Sequence, residues 1–144
     1  MRKPDKKKLF VLLLLLVYLV LLVYLLFFSE TYGRTTQQQG YRYNLIPFRE
    51  IGRYLFRVSD PFLKLLNLLG NIIAFLPFGF LLPVLDPQFQ KWWRILLNTF
   101  SLSVSVEAVQ LLTMVGTFDV DDLILNTAGG MLGYALFVLL RKRR

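Results

Sequence analysis

One carboxylate stands where lipid would be: Glu107, inside the otherwise uncharged run 95–115. At 1.5 Å per residue it lies about 12 Å below the outer end of that run, near a bilayer centre. A charge there costs roughly 2.5–3.5 kcal/mol on insertion scales, so it must face protein, be protonated, or have a cationic or amide partner. At 100° per residue Ser103, Gln110 and Met114 share its face, and Gln110 is its nearest polar neighbour. Two roles fit: a protonated carboxyl bonding between helices, or a group that handles a ligand. Asn98, Ser101 and Ser105 form a separate stripe on the other side, suited to packing against a further helix.

A second acidic group, Asp119, Asp121 and Asp122, stands just before the apolar run 123–140. Asp119 suits a helix N-cap and Asp122 the third helical position, where the dipole favours negative charge. Capping accounts for two of the three; the chemical alternative is a divalent cation held by carboxylate oxygens, bridging to a phosphate. Asp122 and Asn126 share a face that Gly129, Gly130 and Gly133 continue. Gly129-x-x-x-Gly133 is a small-residue stripe that lets another helix approach closely, with a second copy of the chain as one candidate.

The third group is basic. Arg49, Arg53 and Arg57 recur every four residues, while Ile51, Tyr54, Leu55 and Val58 fall on another face. That pattern predicts a short amphipathic helix over about 48–59, lying in the membrane interface with its guanidinium ridge outward. Guanidinium forks match phosphate, so the ridge is a candidate receptor for an anionic head group. Arg49, Arg53, Arg57, Asn71, Glu107, Gln110, Asp122 and Asn126 together form the candidate ligand set.

These residues need a membrane scaffold to hold them. Of 144 residues 56% are hydrophobic and only 18% charged, too few to cover a soluble core. Four apolar runs predict four transmembrane helices: 9–28, 65–85, 95–115 and 123–140. The expected class is therefore all-α integral membrane. Residues 9–28 follow a basic stretch, but the run is too long for a signal peptide. Ser29-Glu30-Thr31-Tyr32 offers no small-residue cleavage site, so an uncleaved, lipid-facing anchor is expected. Residues 29–64 form an outer loop, irregular through Gly33, Gln37-Gln38-Gln39 and Gly40, and 116–122 a tight acidic one. Asn67 and Asn71 interrupt the second run, and Pro77 predicts a kink or break there.

Charge sets the expected orientation. The tails 1–8 and 141–144 and the turn 86–94 carry eleven basic residues against the acids Asp5 and Asp86, whereas the opposite loops balance six against six. The positive-inside rule puts both termini in the cytoplasm. The basic clusters flank apolar runs, so they read as topology signals beside anionic lipid and not as a nucleic-acid footprint. With no cysteine and no histidine, disulfides, thiolate nucleophiles and the commonest zinc ligands are excluded.

The ordered landmarks resemble the VanZ family. They are Asn44-Leu45-Ile46-Pro47-Phe48, then Asn71-x3-Phe75-x-Pro77-Phe78-Gly79, then Glu107-x2-Gln110, then Asp119-x-Asp121-Asp122-x3-Asn126-x2-Gly129 and Gly133. The resemblance covers about 44–137. Members often carry an arginine shortly before the Asp block; Met114-Val115-Gly116-Thr117 has none, leaving Arg42 or Arg49 to take its place. The resemblance implies a small bacterial multi-pass protein of the cell membrane. Its name-giving member is associated with resistance to teicoplanin and related lipid-bearing glycopeptides.

Three functions follow as expectations. The first is a non-enzymatic envelope protein that binds an anionic amphiphile at the outer leaflet, such as a membrane lipid, a lipid-linked cell-wall precursor or a lipoglycopeptide. The second is an intramembrane enzyme acting on a lipid phosphate or ester, with Glu107 as acid/base and the Asp cluster as metal site; the missing His, Cys and serine constellation weigh against it. The third is a transporter or assembly partner, for which four helices are narrow without a dimer. No cofactor is expected beyond a divalent cation.

Overall fold

The computed structural model of the chain describes residues 5–28 and 40–142. The run Gln37-Gln38-Gln39, Gly33 and the basic residues Arg2, Lys3, Arg143 and Arg144 lie outside the described residues. The architecture is helical: α1 (Lys6–Phe28), α2 (Arg49–Phe56), α3 (Pro61–Leu85), α4 (Trp92–Thr113) and α5 (Val120–Lys142). A two-residue parallel ladder joins β1 (Tyr43–Asn44) to β2 (Phe118–Asp119), and a single 3-10 turn links α3 to α4. The helices α1, α3, α4 and α5 are each long and apolar enough to cross a membrane, so this is a multi-pass membrane protein.

The sequence explains where the long helices start. Asp60 caps α3, its Oδ1 accepting from the N–H groups of Phe62 and Leu63, and Pro61 supplies a first residue that needs no donor. Pro77 does not break α3, which runs on through Pro77 and Pro83 to Leu85. Exposed Leu97, Phe100, Leu112, Leu132 and Leu139 give the bundle an apolar perimeter suited to lipid.

Glycine sets how closely α3 and α5 pack. A Cβ at Gly129 would collide with the carbonyl oxygen of Ile72, one at Gly133 with that of Leu76, and one at Gly79 with that of Gly130. The two backbones therefore touch, as small-residue stripes allow. The helix that the Gly129 and Gly133 stripe admits is α3 of the same chain, and both glycines are buried.

Helix α1 also departs from expectation. It is not a plain lipid-facing anchor, because Val11, Leu15, Leu22 and Leu26 are buried along one side. The first two pack with Phe78, Leu81, Leu82 and Ile95, the second two with Phe75 and Val106. Tyr18 donates its hydroxyl proton to the Ala74 carbonyl at 2.7 Å, and Gln110 donates to the Leu26 carbonyl at 2.9 Å. The bundle has four members. Of the stripe Asn98, Ser101 and Ser105, expected to pack against a further helix, Asn98 is half-buried and the two serines are exposed, and Asn98 and Ser105 donate within their own helix to the Arg94 and Ser101 carbonyls.

A candidate head-group cavity at one end of the bundle

The site grows from the junction between α4 and α5. Met114 closes α4 in a left-handed conformation (φ 55), its N–H reaching back to the Gln110 and Leu111 carbonyls. The chain then turns back alongside α4, with Gly116 against the Gln110 side chain, until the Asp119 N–H meets Glu107 Oε2 at 3.0 Å. Glu107 sits six residues before Thr113, so α5 starts about 9 Å below the end of α4. Non-helical backbone at that depth is tolerated where protein covers it and satisfies its polar groups.

The segment before α2 provides that cover. Arg42 accepts from the Phe118 N–H at 3.0 Å, and Asn44 pairs with Asp119 in the ladder. Asn44 folds its own loop by accepting from the Ile46 N–H, and donates to Asp119 Oδ1 at 3.0 Å. Asp119 Oδ1 also accepts from the Asp121 N–H at 2.9 Å, so Asp119 is the N-cap of α5. Pro47 and Phe48 make the turn into α2, Phe48 at φ 63. A bulky residue held in that region is strained by about 1–3 kcal/mol, which its surroundings must offset.

Asp121 supplies the offset. Its carboxylate is buried and accepts from Phe48 N–H, from Glu50 N–H at 2.8 Å and from Ile51 N–H at 3.0 Å. A residue of α5 thus caps α2, satisfying N–H groups that no side chain of α2 reaches. Asp122, on the next position, accepts from the Asn71 amide of α3.

Between these parts lies a polar cavity of about 230 Å³, lined by residues of β1, α2, α3, the 115–119 turn and α5. Its charged lining residues are Arg42, Glu50, Arg53, Asp119, Asp121 and Asp122; Asn44, Tyr54, Asn67, Gly116 and Thr117 contribute further polar or backbone groups. Arg53 lies 2.7 Å from Glu50 and over the Tyr54 ring, 4.9 Å from its centroid. Burial pushes the Asp119 carboxyl above its ordinary value. The Asp121 N–H and the Asn44 amide oppose this, while the Asp121 and Glu50 charges add to it.

The structure divides the candidate ligand set. Arg53 and Asp122 line the cavity, with Asn71 bonded to Asp122 from behind. Arg49 and Arg57 do not line it; they flank a shallow groove on α2 with Arg53 and Phe56. Glu107 and Gln110 are buried and hold the Asp119 N–H and the Leu26 carbonyl. Asn126 donates to Ser103 Oγ at 2.9 Å in the α4–α5 interface. Arg42, Asn67 and Glu50 complete the cavity. Arg42 is thus the better placed of the two substitutes for the missing arginine, its signal being its position two residues before Asn44.

The three aspartates do not converge as a cation site. Asp119 turns to β1, Asp121 to α2 and Asp122 to α3. Among the described residues no cluster of three His, Cys, Asp or Glu could hold a metal ion.

Comparison with known proteins gives two matches in sequence. The VanZ/LLP1 family model matches residues 15–141. Protein VanZ of Enterococcus faecium is 32% identical over 102 residues, covering 69% of this chain and 54% of that protein. The chain thus spans about half the length of that curated relative. No solved structure matches.

Proposed function

The chain belongs to the VanZ/LLP1 family, and from that premise we propose that it is a bacterial cell-membrane protein with both termini cytoplasmic, binding the polar head group of an amphiphile at the outer leaflet without transforming it. The observation that carries this reading is the cavity beneath α2, which brings Arg42 and Arg53 together at one end of a membrane bundle. Guanidinium forks suit a phosphate, and Arg49 and Arg57 on α2 add positive potential beside the cavity. Exposed Tyr41, Tyr43, Phe48, Phe56 and Phe62 surround the same end, apolar and aromatic groups of the kind that settle in the interface. In this reading α2 lies along the membrane surface and the tail of the ligand stays in lipid.

Membrane lipid, a lipid-linked cell-wall precursor and a lipid-bearing glycopeptide all present an amphiphile of this kind. Reduced susceptibility to teicoplanin-type compounds is the phenotype proposed for this chain, by way of its family. Native mass spectrometry of the purified protein tests the binding. Retained lipid, lost when Arg49, Arg53 and Arg57 are replaced together by alanine, is the expected result. Retention unchanged by the triple substitution, or none in either protein, would sink the proposal. Orientation is tested separately with single cysteines at Gln88 and Thr117, in a chain that has none of its own. Labelling from outside is expected at position 117 and not at 88.

A further inference from the structure

Gly129 and Gly133 keep α5 in backbone contact with α3, and the same face of α5 continues into Phe137 and Leu140. Side chains of that size fill the space that glycine leaves to a neighbouring backbone. A groove of about 530 Å³ opens at this level, walled by Phe80 and Val84 of α3 and by Phe137 and Leu140 of α5, with Lys7 of α1 and Arg141 of α5 as its charged members. Phe80 follows Asn67 of the other cavity by thirteen residues on α3, roughly 20 Å along the helix. The groove is positive throughout: among the described residues no carboxylate lines it, whereas four line the cavity beneath α2. Asp5 accepts the main-chain N–H of Lys7 at 3.1 Å, and Asp86 caps the 3-10 turn through the Gln88 N–H; neither lines the groove. Arg141 is aimed by a neutral group, its Nη1 donating to Gln90 Oε1, and Gln90 is held in turn by the Tyr134 hydroxyl, which donates to its carbonyl at 2.7 Å. A bond to an amide places a guanidinium without neutralising it and uses one of its five N–H donors.

We propose that this groove is a second lipid site, separate from the cavity beneath α2, and that its occupant is an anionic glycerophospholipid with its phosphate at Lys7 and Arg141 and one acyl chain along Phe80, Val84, Phe137 and Leu140. Level is the first argument. Lys7 stands in the first turn of α1 and Arg141 in the last turn of α5, so both cations sit at the ends of membrane-crossing helices, where lipid phosphates lie. In the orientation proposed above this is the cytoplasmic leaflet. Charge is the second. Two cations and no carboxylate favour a head group with net negative charge, whereas a zwitterionic lipid brings its own ammonium toward the same cations. The walls are the third. They run from Phe137, 9% exposed, out to Leu140, 47% exposed, an apolar path from the floor of the groove to its lipid-facing rim. A free phosphate would leave that path uncovered, and an acyl chain covers it.

The test is competitive. The purified full chain in detergent is incubated with equal amounts of phosphatidylglycerol and phosphatidylcholine of the same acyl chains, and bound lipid is read by native mass spectrometry. Phosphatidylglycerol is expected in excess. Lys7→Gln and Arg141→Gln are each expected to lower its retention about fivefold, the worth of one cation beside an anionic surface, with phosphatidylcholine and the melting temperature unmoved. Lys7→Arg, which keeps the charge, is expected to keep the lipid. The paired substitution Lys91→Gln and Lys142→Gln removes two charges from the same end but outside the lining, and retention is expected to survive it. An equal loss in that pair would mean a diffuse positive field with no site, and unchanged retention in both groove variants would equally overturn the proposal. The Arg49/Arg53/Arg57 triple alanine variant separates the two ends of the bundle. Loss in it, with Lys7→Gln and Arg141→Gln unaffected, would remove the groove and leave the head-group reading standing; loss in the groove variants alone supports the groove whatever becomes of that reading. An excess of soluble glycerophosphoglycerol is expected to leave the lipid bound, and displacement by it would rule out the acyl chain's part in the site.

Discussion

Glu107 on α4 accepts the main-chain N–H of Asp119 at 3.0 Å, so the buried acid of α4 is tied to the residue that caps α5. That bond fixes how far the 115–119 turn descends beside α4. The descent in turn sets the level at which Asp121 and Asp122 meet α2 and α3. Glu107 does not line the cavity, and its position argues for holding the cavity floor in place over acting on a ligand.

Glu107→Gln keeps an oxygen that can accept the Asp119 N–H, and is expected to preserve lipid retention and the melting temperature. Glu107→Leu strands that buried N–H and is expected to cost about 1–3 kcal/mol, read as a lower melting temperature in detergent. If the Gln variant loses all function while keeping its stability, the carboxyl has a chemical role and the enzyme reading returns.

Asp121 is the pin of α2. Asparagine has one acceptor oxygen where the carboxylate uses two, so Asp121→Asn must release at least one of three N–H groups. A helix cap of this kind is worth about 0.5–2 kcal/mol. The loss should be local: amide hydrogen exchange is expected to speed up over residues 48–57 with α3 and α5 unchanged. Uniform acceleration along the chain would show that Asp121 supports the whole bundle and not α2.

Much of this was readable from the sequence, and the unreadable part has physical causes. The polar face of α4 (Ser103, Glu107, Gln110) follows from 100° per residue, and all three side chains are buried. Asp119 announces itself as an N-cap because Asp, Asp and an apolar run follow it. No periodicity could assign Asp121 to α2, since the N–H groups it caps lie 70 or more residues earlier. Gly129 and Gly133 signalled a close approach without saying to what; Ile72 and Leu76 offer only backbone to it, which no sequence pattern marks. Helix α1 failed for the opposite reason. A run apolar on every face shows no stripe, so its packed side was invisible.

Asp119 should make stability depend on pH in an unusual sense. Its carboxyl is raised in the folded protein, chiefly by burial, against an unfolded value of about 3.9. The folded state therefore binds the proton more tightly. The contribution is fully present below the unfolded value and is lost as pH rises through the raised folded one. Asp119→Asn keeps an oxygen for the Asp121 N–H and removes the titration. Melting temperatures of the two proteins, measured from about pH 4 to 8, should diverge as pH rises, with the Asp protein falling relative to the Asn one. Parallel curves would place the carboxyl at its ordinary value.

The glycines offer a graded test of the α3–α5 contact. Gly129→Ala and Gly133→Ala each drive a methyl group into a carbonyl oxygen of α3, and backbone cannot step aside as a flexible side chain can. Overpacking of this kind costs about 1–3 kcal/mol, and moving α5 outward would also pull Asp122 from Asn71. Gly116→Ala meets only ordinary contacts, the nearest at 3.6 Å to Gln110 Cβ, and is expected to be neutral. Gly52→Ala has open space around it on α2 and should stabilise that helix by up to about 1 kcal/mol. Melting temperatures in one detergent should therefore rank Gly52→Ala at or above the parent, Gly116→Ala level with it, and the two α5 variants below. Lipid retention should fall in those two alone. If Gly129→Ala and Gly133→Ala melt with the parent, the two backbones do not touch and the cavity wall is not set by them.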